Sequence, residues 1–144
     1  MRTILFLCTG NTCRSPMAEC IFNHLCREQG FPFSAHSAGL NAHEGSPASD
    51  GAMIAMKERG LSLLQHKAQS LTKALAQESQ LIMAMTPEHV DLCLQRFSGV
   101  AVRTFSPPIP DPFGGAVAVY RTTAAAIEAQ LLLLMDELAN EYGK

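Results

Sequence analysis

Residues 4–19, ILFLCTGNTCRSPMAE, restrict the fold more than any other stretch of this chain. Ile4, Leu5, Phe6 and Leu7 form an unbroken apolar run of the length that fills a strand covered on both faces. Cys8 closes the run and the turn-forming Thr9-Gly10-Asn11-Thr12-Cys13 follows. Arg14-Ser15-Pro16 then opens a helix, with proline suited to its first turn. A strand that feeds a tight loop and a helix N-terminus makes an anion site, because successive backbone N–H groups converge there and the helix adds positive potential. The loop carries a thiol at Cys8 and a guanidinium at Arg14, in the spacing Cys-x5-Arg-Ser. Such a field favours a thiolate over a thiol. Arg14 can grip two oxygens of a tetrahedral oxyanion at once, which lysine cannot. The stretch reads as a nucleophile facing a cradle for phosphate or a similar oxyanion.

At 144 residues the chain suits one domain, 1–144, with a substantial core. A net charge of −2 and the lack of any Lys/Arg tract argue against nucleic acid as a partner. The N-terminus has no secretory-signal pattern, and the longest apolar run, Leu131 to Met135, is too short to span a bilayer, so no membrane is expected. Five irregularly spaced cysteines, an odd number, argue against a disulfide framework and for a reducing cytoplasm. No CxxC pair or histidine ladder suggests a metal site.

Along the chain, the first helix is expected to end near Gln29-Gly30 and a second strand to run from Ser34 to Ala38. Ser46-Pro47 reads as the entry to a helix that stops at Arg59-Gly60. A short helix is expected over 70–78, a buried strand over 81–85, and a helix capped by Thr86-Pro87-Glu88 that reaches about Phe97. A fourth strand spans 100–105, the Pro-rich 106–115 cannot hold regular structure, and a long helix follows over about 116–141. Leu131 to Leu134 is read as the buried face of that last helix, with Glu128, Asp136 and Glu137 outward. Strands alternating with helices predict an α/β three-layer sandwich, a parallel sheet of about four strands in the order 2-1-3-4 with helices on both faces. Ligands of such sheets bind beyond the strand C-termini, where strand order reverses, which places Cys8 at that point. The loop carrying Asp111 follows the last strand and emerges at the same edge. Phosphoryl transfer through a cysteine needs one group to protonate the leaving group and then deprotonate water. Asp111, braced by Pro110 and Pro112, is the candidate.

With CTGNTCRSPMAE early and DPFGG late, the chain resembles the low-molecular-weight protein tyrosine phosphatase family over nearly its whole length. Ser37-Ala38-Gly39 and His66 fall in the expected order between them. The resemblance implies a hydrolase with Cys8 as nucleophile, Arg14 as phosphate clamp and Asp111 as general acid and base, with phosphorylated proteins as substrates. It implies that Thr9, Gly10, Asn11, Thr12 and Cys13 form the phosphate loop and that Ser15 donates to the thiolate. Asn11, Ser37 and His66 would hold the loop in shape, and no metal or organic cofactor is implied. Thr12, where tyrosine-directed members usually carry a bulky aliphatic, resembles the branch that acts on phosphoarginine in proteins. Phe113 would be an aromatic wall of the pocket, and phosphotyrosine remains the alternative substrate.

Plainer readings stand beside these. Cys8 could be a small buried hydrophobe at a strand end. Cys13 is either simple packing or, as in some relatives, a partner for a reversible disulfide with Cys8. Cys20, Cys26 and Cys93 read as fillers, and His24, His36, His43 and His89 as ordinary residues, although His43 and Glu44 are also weighed as parts of the pocket mouth. Two rival functions are arsenate reduction, which needs two further closely spaced cysteines where only Cys93 stands, and a non-catalytic redox or anion sensor.

Overall fold

The computed structural model describes residues 2–142, and its centre is a parallel sheet in the order β2-β1-β3-β4. The elements are β1 Arg2–Cys8, α1 Arg14–Gln29, β2 Phe33–Gly39, α2 Asp50–Glu58, α3 Lys73–Glu78, β3 Leu81–Ala84, α4 Pro87–Arg96, β4 Val102–Thr104 and α5 Val117–Tyr142. Period-two alternation along β1 divides the core into two layers. Ile4, Phe6 and Cys8 face α1, α2 and α5, whereas Leu5 and Leu7 face the side of α3 and α4. Ile4 to Leu7 are wholly buried, as expected of a central strand. Each such side chain contributes about 1.5–3 kcal/mol. Phe6 packs edge-on to Phe22 at 5.6 Å and stacks on Phe105 at 6.2 Å, which ties β1 to α1 and to the segment after β4. Cys8 lies opposite Gly39 and Leu7 opposite Ala84, so the loops after β1, β2 and β3 leave one edge together.

Several boundaries differ from the sequence reading, each for a local reason. Gly30, at φ 63°, ends α1 as expected. The second helix, however, begins at Asp50 and not at Ser46-Pro47, with Ser49 as its N-cap accepting from Ala52 N–H. Gly45 lies in a turn at φ 83°, and its N–H and the Ser46 C=O are both bonded to Ala68, so the chain does not turn helical there. Likewise α3 begins at Lys73 under a Thr72 cap, because Ser70 is drawn into a parallel bridge with Gly39. The fourth strand contracts to Val102–Thr104.

In α5, Leu131 and Leu134 are buried but Leu132 and Leu133 are 43% and 62% exposed. Four successive helical residues sweep most of a full turn and cannot share one face. Glu128 is only partly exposed and pairs with Arg59 at 3.1 Å. Among the described residues α5 is long and apolar enough to cross a membrane, which the run-length reading missed. Its buried stripe, from Tyr120 through Ile127 and Leu131 to Leu138, lies in the core layer shared with α1 and α2.

Candidate active site

The loop between β1 and α1 turns its carbonyls outward. Cys8 C=O accepts from Leu40 N–H at 3.0 Å, Thr9 C=O from Asn41 N–H at 2.9 Å and Thr12 C=O from Ser49 N–H at 2.9 Å. Asn11 C=O takes His66 Nε2–H at 2.7 Å. With those acceptors committed, the loop's N–H groups face the other way, and Asn11 N–H points at Cys8 Sγ, 3.3 Å off. Gly39 makes this fold of the loop feasible. A Cβ there would stand 2.5 Å from Thr9 O and 3.1 Å from Asn11 N.

Asn11 is the hub. It is wholly buried at φ 58°, a left-handed conformation that asparagine tolerates better than most residues but still at a cost. Its Oδ1 accepts from Gln69 N–H at 2.9 Å, which fixes the amide's orientation. Nδ2 then donates to Ser15 Oγ and Ser37 Oγ, both at 2.9 Å. Ser37 in turn donates to the Glu19 carboxylate. Since Ser15 Oγ accepts from Asn11, its own proton is free to point at Cys8 Sγ, 2.8 Å away. A cysteine anion at that position would hold two donors, the Ser15 hydroxyl and the Asn11 amide.

Arg14, at the start of α1, is almost fully buried. Its Nη1 donates to Ile109 C=O at 3.0 Å and its Nη2 lies 3.7 Å from Asp111 Oδ2. Asp111 is half exposed, so this ion pair is worth at most about 1 kcal/mol and its importance is positional. The other oxygen, Oδ1, accepts from Phe113 N–H at 3.1 Å, which aims the carboxylate. One cavity of about 200 Å³ is lined by Cys8, Thr9, Gly10, Thr12, Cys13, Arg14, Asp111 and Phe113. Ser15, Ser37 and His66 stand behind it as supports. His43 and Glu44 do not line it, and Glu44 instead accepts from Ser70 N–H.

A family model described as low molecular weight phosphotyrosine protein phosphatase matches residues 3–144. The chain belongs to that family. With it the chain is a metal-independent phosphatase that acts on phosphorylated proteins. It is 32% identical to a protein-arginine-phosphatase of Bacillus subtilis (strain 168), the match covering 96% of this chain and 97% of the relative. It is 36% identical, over the same shares, to a protein-arginine-phosphatase of Geobacillus stearothermophilus. A solved structure of the YwlE arginine phosphatase, a mutant with a phosphorylated active-site serine, superposes with a TM-score of 0.93 at 32% identity and 97% coverage of both chains.

Set in this phosphatase frame, three residues join the site that sequence reasoning passed over. Glu19 anchors Ser37, and its signal was its place four residues after Ser15, on the same helix face. Tyr120 is buried at the start of α5 with its hydroxyl 3.5 Å from Cys13 Sγ, which also donates to Ser49 Oγ at 3.3 Å. Burial pushes the Tyr120 phenol up. Gly51 lies against the tyrosine ring, where a Cβ would come within 2.3 Å of it. Cys13 thus sits in the cavity wall between α2 and α5.

The third is His89, read as ordinary from the sequence but in fact 5% exposed. Its Nε2 is 2.9 Å from Thr9 Oγ1 and its Nδ1 3.0 Å from Thr86 Oγ1, so the ring joins α4 to the phosphate loop. Burial first, and the Arg14 charge second, push the imidazole down to about 4 from an ordinary 6.5. The unfolded chain therefore takes up a proton more readily than the folded one. The stability this contributes is full above pH 6.5 and drains as pH falls from 6.5 towards 4. Urea unfolding at about pH 7.5 and about pH 4.5 is expected to show the wild type losing roughly 2 kcal/mol more than His89→Gln. Equal losses in the two proteins would show that another group senses the acid.

Proposed function

We propose that this chain hydrolyses phosphorylated protein side chains through a phospho-cysteine on Cys8, with phosphoarginine preferred. The observation that carries the reading is the single cavity that gathers Cys8, Arg14 and Asp111 with Thr12 and Phe113 on its walls. Cys8 Sγ, as the thiolate, attacks phosphorus while Arg14 and the loop amides hold the non-bridging oxygens. The P–N bond breaks as protonated Asp111 delivers its proton to the departing guanidino nitrogen, leaving an aspartate. That aspartate takes a proton from water, the hydroxide oxygen bonds to phosphorus, and the S–P bond breaks to return the thiolate. The Ser15 hydroxyl steadies the departing sulfur, and inorganic phosphate is the second product.

Two relatives matched along nearly their full length bear the name protein-arginine-phosphatase. The polar Thr12 hydroxyl at the pocket wall supports the same preference for this chain, since it can bond a guanidinium that a bulky aliphatic would repel. Phe113, 73% exposed at the cavity, favours phosphotyrosine as the second reading, because an aromatic wall can stack on a phenol ring. A thiol relay of the arsenate-reducing kind lacks support, as Cys93 is wholly buried on the other face of the sheet. All five thiols are free, which fits work in the reducing cytoplasm.

The discriminating experiment measures kcat/KM on phosphoarginine and phosphotyrosine peptides of one sequence. Wild type is expected to favour the former, and Thr12→Ile to move the ratio towards phosphotyrosine by about tenfold, the scale of a few pocket contacts. An unchanged ratio would defeat the role given to Thr12.

A further inference from the structure

Asp111 lies on a loop that breaks the register of the sheet. After β4 the chain stays bonded to β3 and its extension: Phe105 N–H donates to Ala84 C=O at 3.0 Å and Ile109 N–H to Met85 C=O at 2.9 Å. Ala84 and Met85 are adjacent, but Phe105 and Ile109 are not, so Ser106-Pro107-Pro108 must loop out between them. The two prolines have no N–H to bond with. This excess chain is held from outside, by Gln130 in the middle of α5. Ser106 N–H donates to Gln130 Oε1 at 2.9 Å, and Gln130 Nε2–H donates to Pro107 C=O at 2.6 Å. One partner is a backbone donor and the other a backbone acceptor, so a single orientation of the amide fits. Ile127 and Leu134, on the same side of the helix as Gln130, are buried and seat this part of α5 in the core. Gln130 itself does not line the catalytic cavity.

We propose that Gln130 is a positioning residue of this phosphatase: its amide takes up the slack of residues 106–108 and so sets the reach of Asp111 over the phosphate cavity. The inference rests on the acid and base role given to Asp111 above and deepens it. Beyond the clamp, Ile109 is buried, its C=O accepts from Arg14 Nη1 at 3.0 Å, and Asp111 comes to 3.7 Å from Arg14 Nη2. The Asp111 carboxylate is half exposed, so the backbone that carries it, and not packing around it, fixes its place. Arg14 by contrast is buried at the start of α1, and Cys8 is buried at the end of β1. Loss of the clamp therefore acts on proton delivery and leaves the phosphate cradle in place.

The test compares kcat/KM on a phosphoarginine peptide and on p-nitrophenyl phosphate, since for both this quantity reports formation of the phospho-cysteine. Gln130→Met keeps the length of the side chain and removes both bonds. It is expected to lower the peptide value about tenfold or more, towards the roughly hundredfold loss that a misplacement of about 1 Å brings. The guanidino nitrogen must be protonated as it leaves, whereas p-nitrophenolate departs as an anion, so the value for that ester should stay within about twofold. A phosphotyrosine peptide, whose phenolate is a far stronger base than p-nitrophenolate, should follow the phosphoarginine peptide, so the outcome does not depend on which of the two is preferred. In Asp111→Asn, which has no proton to deliver, adding Gln130→Met should change the peptide value by less than about twofold, because two residues that act through one group are not additive. Equal falls on peptide and ester, no fall on the peptide, or an undiminished effect in the Asp111→Asn background would each overturn the proposal. Should Gln130→Met fail to fold, Gln130→Ala, a stronger helix former with neither bond, carries the same comparison. Asp111→Asn with wild-type rates on the peptide overturns the acid and base reading and this inference together. An impaired Asp111→Asn beside an unimpaired Gln130→Met overturns this inference alone.

Discussion

Cys8→Ser is expected to cut steady-state turnover of p-nitrophenyl phosphate, assayed without added metal, by roughly 10⁴-fold or more, the scale seen when a covalent nucleophile is removed. The reason lies in how the site is wired. Ser15 Oγ at 2.8 Å and Asn11 N–H at 3.3 Å are placed to stabilise negative charge on sulfur at rest and again when it leaves phosphorus. A hydroxyl at position 8 is far less acidic than a thiol, so it attacks slowly. Once phosphorylated it is a much poorer leaving group, since an alkoxide is a stronger base than a thiolate. The phosphoryl group should therefore accumulate on the introduced hydroxyl, just as the superposed YwlE mutant carries a phosphorylated serine in its own active site. Intact-mass measurement after incubation with substrate would show one added phosphoryl group per chain. Full turnover by the variant, with no such adduct, would exclude a route through Cys8.

How much of this was legible depended on whether a residue's role is set by its neighbours in sequence or in space. Cys8, Arg14 and the turn between them read clearly because strand end, loop and helix start are contiguous. Local chemistry alone then dictates an anion site there. Asp111 could be assigned to the same edge because a parallel sheet sends every strand C-terminus one way, and the 3.7 Å separation of Asp111 from Arg14 agrees with that logic. The alternation of strands and helices implied the parallel sheet, and the expected order 2-1-3-4 is the one found, β2-β1-β3-β4.

His89 was illegible for the opposite reason. Nothing around it in the chain marks it, and its contact with the phosphate loop, at Thr9, bridges eighty positions. Tyr120 meets Cys13 across an even wider gap. The misplaced start of α2 has the same origin. Ser46-Pro47 is a sound local signal for a helix, but the tertiary pairing of residues 45 and 46 with Ala68 outweighs it. The reading of Leu131–Leu134 failed on a different count, since an apolar run says nothing of which members face inward until helical periodicity is applied.

Asp111→Asn is expected to lower kcat on a phosphoarginine peptide by about 10²–10⁴-fold, the range for loss of a general acid and base. An amide at this position keeps an oxygen that can accept from Phe113 N–H, as Oδ1 does at 3.1 Å, so the loop need not change shape. What it cannot do is deliver or remove a proton. The two chemical steps should then separate according to leaving group. A guanidino nitrogen must be protonated as it departs, so with phosphoarginine the first step is crippled and no phospho-enzyme builds up. p-Nitrophenolate leaves readily as an anion, so the first step on that ester is affected less. The second step still needs water activated by the missing carboxylate. Rapid-mixing experiments on the variant should accordingly show a burst of about one equivalent of p-nitrophenolate followed by slow turnover. No burst should appear with the phosphoarginine peptide. Wild-type rates on that peptide would mean that the proton reaches the leaving nitrogen from some group other than Asp111.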